Sequence, residues 1–254
     1  MIGSEARRRA DAALDDIAQK HGVRILLAIE SGSRAWGFPS QDSDYDVRFI
    51  YLRRIEDYLS VETPRDVIET PIDAMLDLGG WDVRKALALI ARSNAVALEW
   101  LTSPVVYRAE PSAHAALLTL AHATADLHAL AYHYDRLARH AWTPDAPGPV
   151  RLKSYCYALR PSLALLWLRT HGTPPPMDLA ALRTGVPLPS EVAARLDALL
   201  VRKAAGTEVD HMPREPALEG FLHTTLDRPV PRPQPAQCSS QIEAADRLFR
   251  DLVS

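Results

Sequence analysis

Two strand-like runs, Val23 to Ile29 and Tyr45 to Leu52, flank a turn that opens with Gly32-Ser33 and closes with Asp44-Tyr45-Asp46. No other feature constrains the fold as much. The first run is almost continuously apolar and short, which suits a strand buried on both faces. The second alternates and carries Val, Phe, Ile and Tyr, residues that favour a pleated, half-buried surface. The turn between them, Glu30-Ser31-Gly32-Ser33-Arg34-Ala35-Trp36-Gly37, is rich in small residues and could open a short helix.

The same α/β character extends to about residue 108. Ser4 to Lys20 has helical apolar spacing, with Ser4 as N-cap and Gly22 as the stop. Val67 to Ile68 and Ile72 to Leu78 are weaker strand candidates. Asp82 to Arg92 reads as a helix capped by Asp82, Ala95 to Leu101 continues helical, and Pro104 to Tyr107 reads as a last short strand. Beyond Arg108, Ala and Leu dominate and β-branched runs vanish. Helices are expected at 112–141, 151–170, 190–204 and 240–253. Pro-rich connectors, Thr143 to Pro149, Thr173 to Pro176 and Pro229 to Pro235, break and stiffen the chain between them. The expected architecture is an α/β domain over residues 1–108 followed by an all-α domain over 109–254.

Composition excludes several classes. Of 254 residues, 47% are apolar and 24% charged, an ordinary globular balance. There is no apolar stretch long enough for a transmembrane helix. The Arg-rich beginning has no apolar core of a secretory signal, so a cytoplasmic location is expected. Cys156 and Cys238 lie too far apart in sequence for a disulfide framework or a metal knuckle. The net charge of −3 argues against a broadly basic nucleic-acid coat, while leaving room for a local basic groove.

The chemistry concentrates at the turn. A period of two puts Asp44 and Asp46 on one strand face. Two adjacent carboxylates repel, and a divalent cation relieves the repulsion. Hard oxygen donors suit Mg²⁺, with Mn²⁺ as a substitute, and Mg²⁺ completes its shell with phosphates and water. Such a site suits attack of a hydroxyl on the α-phosphorus of an NTP with departure of pyrophosphate. Gly32 and Ser33 supply backbone N–H donors for the phosphates, and the Ser33 hydroxyl adds another hydrogen bond. Arg34 and Arg48 are candidates for contacting phosphate or holding the carboxylates.

Further along, Lys153, Tyr157 and Arg160 share a helix face and form a cation–aromatic–cation stripe suited to a nucleotide. Pro161 should end or kink that helix. Six basic residues lie between Tyr132 and Arg169, opposed by Asp135 and Asp145 alone, which gives this region a local basic character. On one long helix His122, His133 and His140 would stand about 10 to 17 Å apart, too far for a single metal. Trp36 and Trp81 read more readily as packing residues than as base-stacking ones.

Gly32-Ser33, a short gap and Asp44-x-Asp46 together resemble the DNA polymerase β-like nucleotidyltransferase superfamily. A longer series resembles the nucleotidyltransferases associated with bacterial RNA repair. It comprises Gly32 to Gly37, Ser43 to Tyr51, Arg65 to Glu69, Gly80 to Leu87, Ser93-Asn94, Glu99 to Leu101, Ser103-Pro104, Lys153 to Tyr155 and Tyr157 to Pro161. The resemblance covers about residues 23–176. It implies a third carboxylate on a neighbouring strand, serving as metal ligand or base near the acceptor hydroxyl. Asp77, between Leu76 and Leu78, fits best; Asp73 is the rival. It also implies a helical domain that closes over the NTP, and an RNA end, perhaps of tRNA, as acceptor. Two other readings stand beside it: modification of a protein or small molecule, and a nucleotide- or RNA-binding module without catalysis.

Overall fold

A computed structural model describes residues 2–70, 75–144, 147–233 and 239–254. In chain order the elements are α1 (Ser4–His21), β1 (Arg24–Glu30), α2 (Gly32–Trp36), β2 (Tyr45–Leu52), α3 (Ile55–Tyr58), β3 (Val67–Glu69), β4 (Leu76–Asp82), α4 (Val83–Ala91), α5 (Ala95–Leu101), β5 (Val106–Ala109) and α6 (Pro111–Thr124). There follow α7 (Leu127–Ala141), β6 (Val150–Arg151), α8 (Leu152–His171), α9 (Leu179–Gly185), α10 (Ser190–Ala205), β7 (His211–Met212), α11 (Pro216–Leu226) and α12 (Ser239–Val253). The α/β-plus-helical class expected from the sequence is the one observed. No helix among the described residues is long and apolar enough to cross a membrane.

Two compact units emerge. The first comprises Met1–Ala35, Asp44–Ala125 and Gln237–Ser254. Its sheet has the order β3-β4-β2-β1-β5. β2 and β4 run parallel, while β1 is antiparallel to both β2 and β5, and β3 is antiparallel to β4. The alternation of β2 decides which face is core. Val47, Phe49 and Tyr51 are fully buried with Ala10, Leu14 and Ile17 of α1; Asp46 and Arg48 point the other way, as period two requires. Gly3, not Ser4, occupies the N-cap of α1, and Gly22 stops the helix at φ 61° with its N–H on the carbonyls of Ala18 and Gln19.

The second unit comprises Trp36–Ser43 and Asp126–Ala236. α8 packs against α7 and α11, and β6 pairs with β7 in a short ribbon.

Several expectations change. The helix expected over 112–141 is two helices. Asp126 intervenes, and its carboxylate caps α7 by accepting from the N–H groups of His128 and Ala129. His122 therefore stands on α6, apart from His133 and His140 on α7. α8 runs through Pro161 without ending. One backbone bond is lost there, but Tyr155, Leu159, Leu163 and Leu165 bury the helix on both sides of the proline. Weak apolar periodicity hid α9 and α11. The strand expected from Ile72 begins at Leu76, and the earlier part, with Asp73, lies outside the described residues; so do Asp145, Pro235 and Cys238. Asp82 caps α4 as expected, accepting from Arg84 N–H at 2.9 Å. The compact units cut across a division at 108/109, because α6 and α12 pack against α4.

Gly80 fixes how closely β4 lies beside β2. It is the register partner of Phe49, and a Cβ there would stand 2.1 Å from the buried Phe49 ring. Gly80→Ala is expected to destabilise the protein by about 1–3 kcal/mol through overpacking, measured by denaturant unfolding. An unchanged midpoint would mean that the sheet relaxes freely at this point.

Candidate active site

The parallel pairing of β2 with β4 brings the candidate acids together. Asp46 and Asp77 are direct register partners, on strands about 4.8 Å apart. Asp44, two residues before Asp46, is exposed at the entrance to β2. Arg48 spans the pair: its Nη2 donates to Asp46 Oδ1 at 3.1 Å and to Asp77 Oδ2 at 2.6 Å, while Nη1 donates to the Asp77 carbonyl at 3.0 Å. The guanidinium thus neutralises carboxylates that would otherwise repel.

Gly32 sits against this cluster. Its φ is 61°, and a Cβ would meet Asp46 Oδ2 at 2.0 Å. Only glycine satisfies both the left-handed backbone and the contact. Ser33, next in the short α2, is buried. Arg34 braces the following turn: Nε donates to the Asp44 carbonyl at 3.0 Å, and the guanidinium lies 3.9 Å from the centroid of the Tyr45 ring. The backbone is pinned on both sides. Ser31 N–H donates to the Asp46 carbonyl at 2.8 Å, and Tyr45 N–H to the carbonyl of Met75 at 2.7 Å. Met75, at φ 72°, holds a left-handed conformation unusual for its residue type as the chain turns into β4.

Sequence reasoning passed over Glu30. It ends β1, is fully buried, and accepts from Asp46 N–H at 3.0 Å and from Tyr107 O–H at 2.5 Å. Burial pushes its carboxyl up to about 7, against the opposing pull of the two hydrogen bonds. The available signal was an acid closing an otherwise apolar strand just before the Gly-Ser turn.

Among the described residues no three or more His, Cys, Asp or Glu side chains converge as a ready metal cage. That is compatible with a divalent cation taking one or two carboxylates and completing its shell with phosphates and water. Asp46 and Asp77, with Asp44 at the margin, offer hard oxygen donors of that kind.

The helical stripe belongs to the second unit and is heavily engaged within it. Lys153 pairs with Glu208 at 2.9 Å and lies 5.2 Å from the centroid of the Tyr157 ring. Tyr157 stands edge-on to Trp36 at 5.3 Å. Arg160 is buried, donates to the Met177 carbonyl at 2.9 Å, and stacks 4.7 Å from the Trp36 ring centroid. Arg139 and Arg169 likewise donate to the Leu226 and Thr225 carbonyls. Of the six cations between Tyr132 and Arg169, Arg136, Arg151 and Arg169 are exposed. Much of the basic character read from the sequence therefore stitches helices together.

The class of protein is a nucleotidyltransferase. The chain belongs to the RNA repair pathway DNA polymerase beta family, whose model matches residues 6–251. It is 44% identical over 223 residues to the uncharacterized protein YcgL of Bacillus subtilis (strain 168), covering 87% of this chain and 86% of that protein. A nucleotidyltransferase-like protein from Exiguobacterium sibiricum aligns over 97% of this chain and 79% of its own, at 11% identity and a TM-score of 0.33. Nucleotidyltransferases of this kind generally use divalent metals.

Two outcomes are expected. Gly32→Ala should lower nucleotidyl transfer about 10²-fold by displacing Asp46, with an unaltered circular dichroism spectrum; full activity would detach Gly32 from the site. Glu30 binds a proton more readily folded than unfolded, so its contribution to stability is complete below its ordinary value of 4.5 and is lost as pH rises to about 7. Glu30→Gln should flatten the pH dependence of unfolding across that window, by up to about 3 kcal/mol. A variant that keeps the wild-type slope would show that another group titrates there.

Proposed function

We propose that the protein transfers a nucleoside monophosphate from an NTP to a hydroxyl at an RNA end, with Mg²⁺ as the metal. The observation that carries this reading is the register pairing of Asp46 with Asp77 beside Gly32. Two carboxylates share one open sheet face there, and the glycine keeps space against one of them.

Asp44, Asp46 and Asp77 would hold the metal, which supplies charge neutralisation for the triphosphate and the departing pyrophosphate. Backbone N–H groups of Gly32 and Ser33, with the Ser33 hydroxyl, bind β- or γ-phosphate oxygens. Arg34 keeps the turn in position through the Asp44 carbonyl. The acceptor oxygen forms a bond to the α-phosphorus while the bond to the bridging oxygen of pyrophosphate breaks. The acceptor proton passes to the Asp77 carboxylate. Glu30 orients Asp46 through its backbone N–H. Lys153, Tyr157 and Arg160 are the nucleotide contacts assigned to the helical unit. The RNA acceptor rests on the family's description and on the exposed Arg136 and Arg151, against a net charge of −3.

The test is incubation with each α-labelled NTP, Mg²⁺ or Mn²⁺, total tRNA and cell extract. Label on RNA is expected, and Asp46→Ala should reduce it to background without unfolding the protein. Label on a protein or small molecule would overturn the RNA acceptor. Undiminished transfer by Asp46→Ala would overturn the metal assignment.

A further inference from the structure

The open face of β3 and β4 continues beyond the carboxylates. Alternation puts Asp77, Gly79 and Trp81 on that face of β4, while Leu76, Leu78, Gly80 and Asp82 are buried. Val67 and Glu69 of β3 stand opposite Trp81 and Gly79. A cavity of about 420 Å³ lies over this face and reaches Arg48 and Asp77 at one end and Trp81 and Trp100 at the other. Its size falls within the range of small-ligand sites.

Its walls differ in chemistry along their length. At the far end Trp81 and the buried Trp100 stack in parallel, with ring centroids 3.7 Å apart and an interplanar angle of 18°. Between the two ends, Gly79 presents backbone without a side chain. Thr70 Oγ1 is buried at the wall and has no hydrogen-bond partner among the described residues. At the near end stand the Arg48 guanidinium and the Asp77 carboxylate.

We infer that this cavity seats the terminal nucleoside of the acceptor, with its base against the Trp81–Trp100 pair and its sugar toward Asp77. A purely apolar ligand would leave Thr70 Oγ1 without a partner and make no use of the polar Arg48–Asp77 end, and a free phosphate would have no use for the indoles. A nucleoside matches both ends: a flat π-surface for the aromatic pair, and hydroxyls for the polar end. Its seating next to Asp77 brings an acceptor hydroxyl to the acid assigned as its base. Trp81, read from the sequence as a packing residue, becomes a base-stacking contact. The acceptor role rests on the transferase reading above; binding of a base does not.

The test is fluorescence anisotropy with a short labelled single-stranded oligoribonucleotide, compared with the same strand lacking its terminal base. The wild-type protein should bind the intact strand about fivefold or more tightly, the size of one base–aromatic stack. Trp81→Ala should erase that difference, and Trp81→Phe, which keeps an aromatic face, should retain most of it. Equal binding of both strands by the wild type, or an undiminished difference in Trp81→Ala, would overturn the inference. Label transfer is followed in the same samples. Transfer without base-dependent binding overturns the cavity assignment and leaves the transferase. Base-dependent binding without transfer supports a base in the cavity and overturns the transferase reading.

Discussion

The site depends on the way Arg48 resolves a conflict created by the sheet. Parallel pairing of β2 with β4 places Asp46 beside Asp77. Two like charges about 5 Å apart repel by roughly 3 kcal/mol at an intermediate effective dielectric. A sheet built for stability alone would not put them there. Arg48, two residues beyond Asp46 and so on the same face, reaches both carboxylates. The pair is about a quarter exposed, so water shares in screening it. A cation entering from solvent can compete for the same oxygens without unpacking any core residue.

The backbone beneath those carboxylates is more constrained than the side chains above it. Asp46 donates its N–H to Glu30 and accepts at its carbonyl from Ser31, while Gly32 abuts its carboxylate. Three consecutive residues, from the end of β1 into the turn, thereby meet one residue of β2. Glu30 is costly to bury, and its carboxyl rises to about 7 as a result. Tyr107, reaching in from β5, is the second donor that makes the burial tolerable. A chain of contacts thus runs from β5 through β1 to Asp46 on β2. It explains why an acid occupies the end of an otherwise apolar strand.

The sequence made β1, β2 and the acid pair legible for one reason: each has a local signature, either an uninterrupted apolar run or strict alternation. Asp77 was legible as an acid between two leucines, but its partnership with Asp46 depends on a parallel crossover, which no local pattern specifies. Glu30 was passed over because it looked like the start of a turn. The helical region misled in a different way. Pro161 is a strong helix breaker in isolation, yet packing on α8 overrides it. The single helix expected over 112–141 was divided by Asp126, whose capping bonds compete locally with helix continuation. Arg160 lay on the predicted face, but its burial against Trp36 and Met177 comes from tertiary structure.

The segment from Trp36 to Ser43 joins the Gly-Ser turn to the acids, and its anchoring is polar. Ser40 and Ser43 donate to Glu208 Oε1 at 2.7 and 2.8 Å, and the fully buried Lys203 donates to the same oxygen at 2.9 Å and to Ser40 at 2.8 Å. Burial alone would push the Glu208 carboxyl up, but the bonds from Ser40, Lys153, Lys203 and Ser43 outweigh it and hold the group well below its ordinary range. Asp42 in turn accepts from Glu208 N–H at 3.0 Å. A buried ion pair of this kind is a poor source of net stability, because desolvation consumes most of the attraction. It is specific, however: apolar packing tolerates sliding by a few tenths of an ångström, whereas an oxygen accepting three short hydrogen bonds does not. Within the second unit the segment over residues 36–43 is thereby held in one place by hydrogen bonds of fixed geometry rather than by apolar contact.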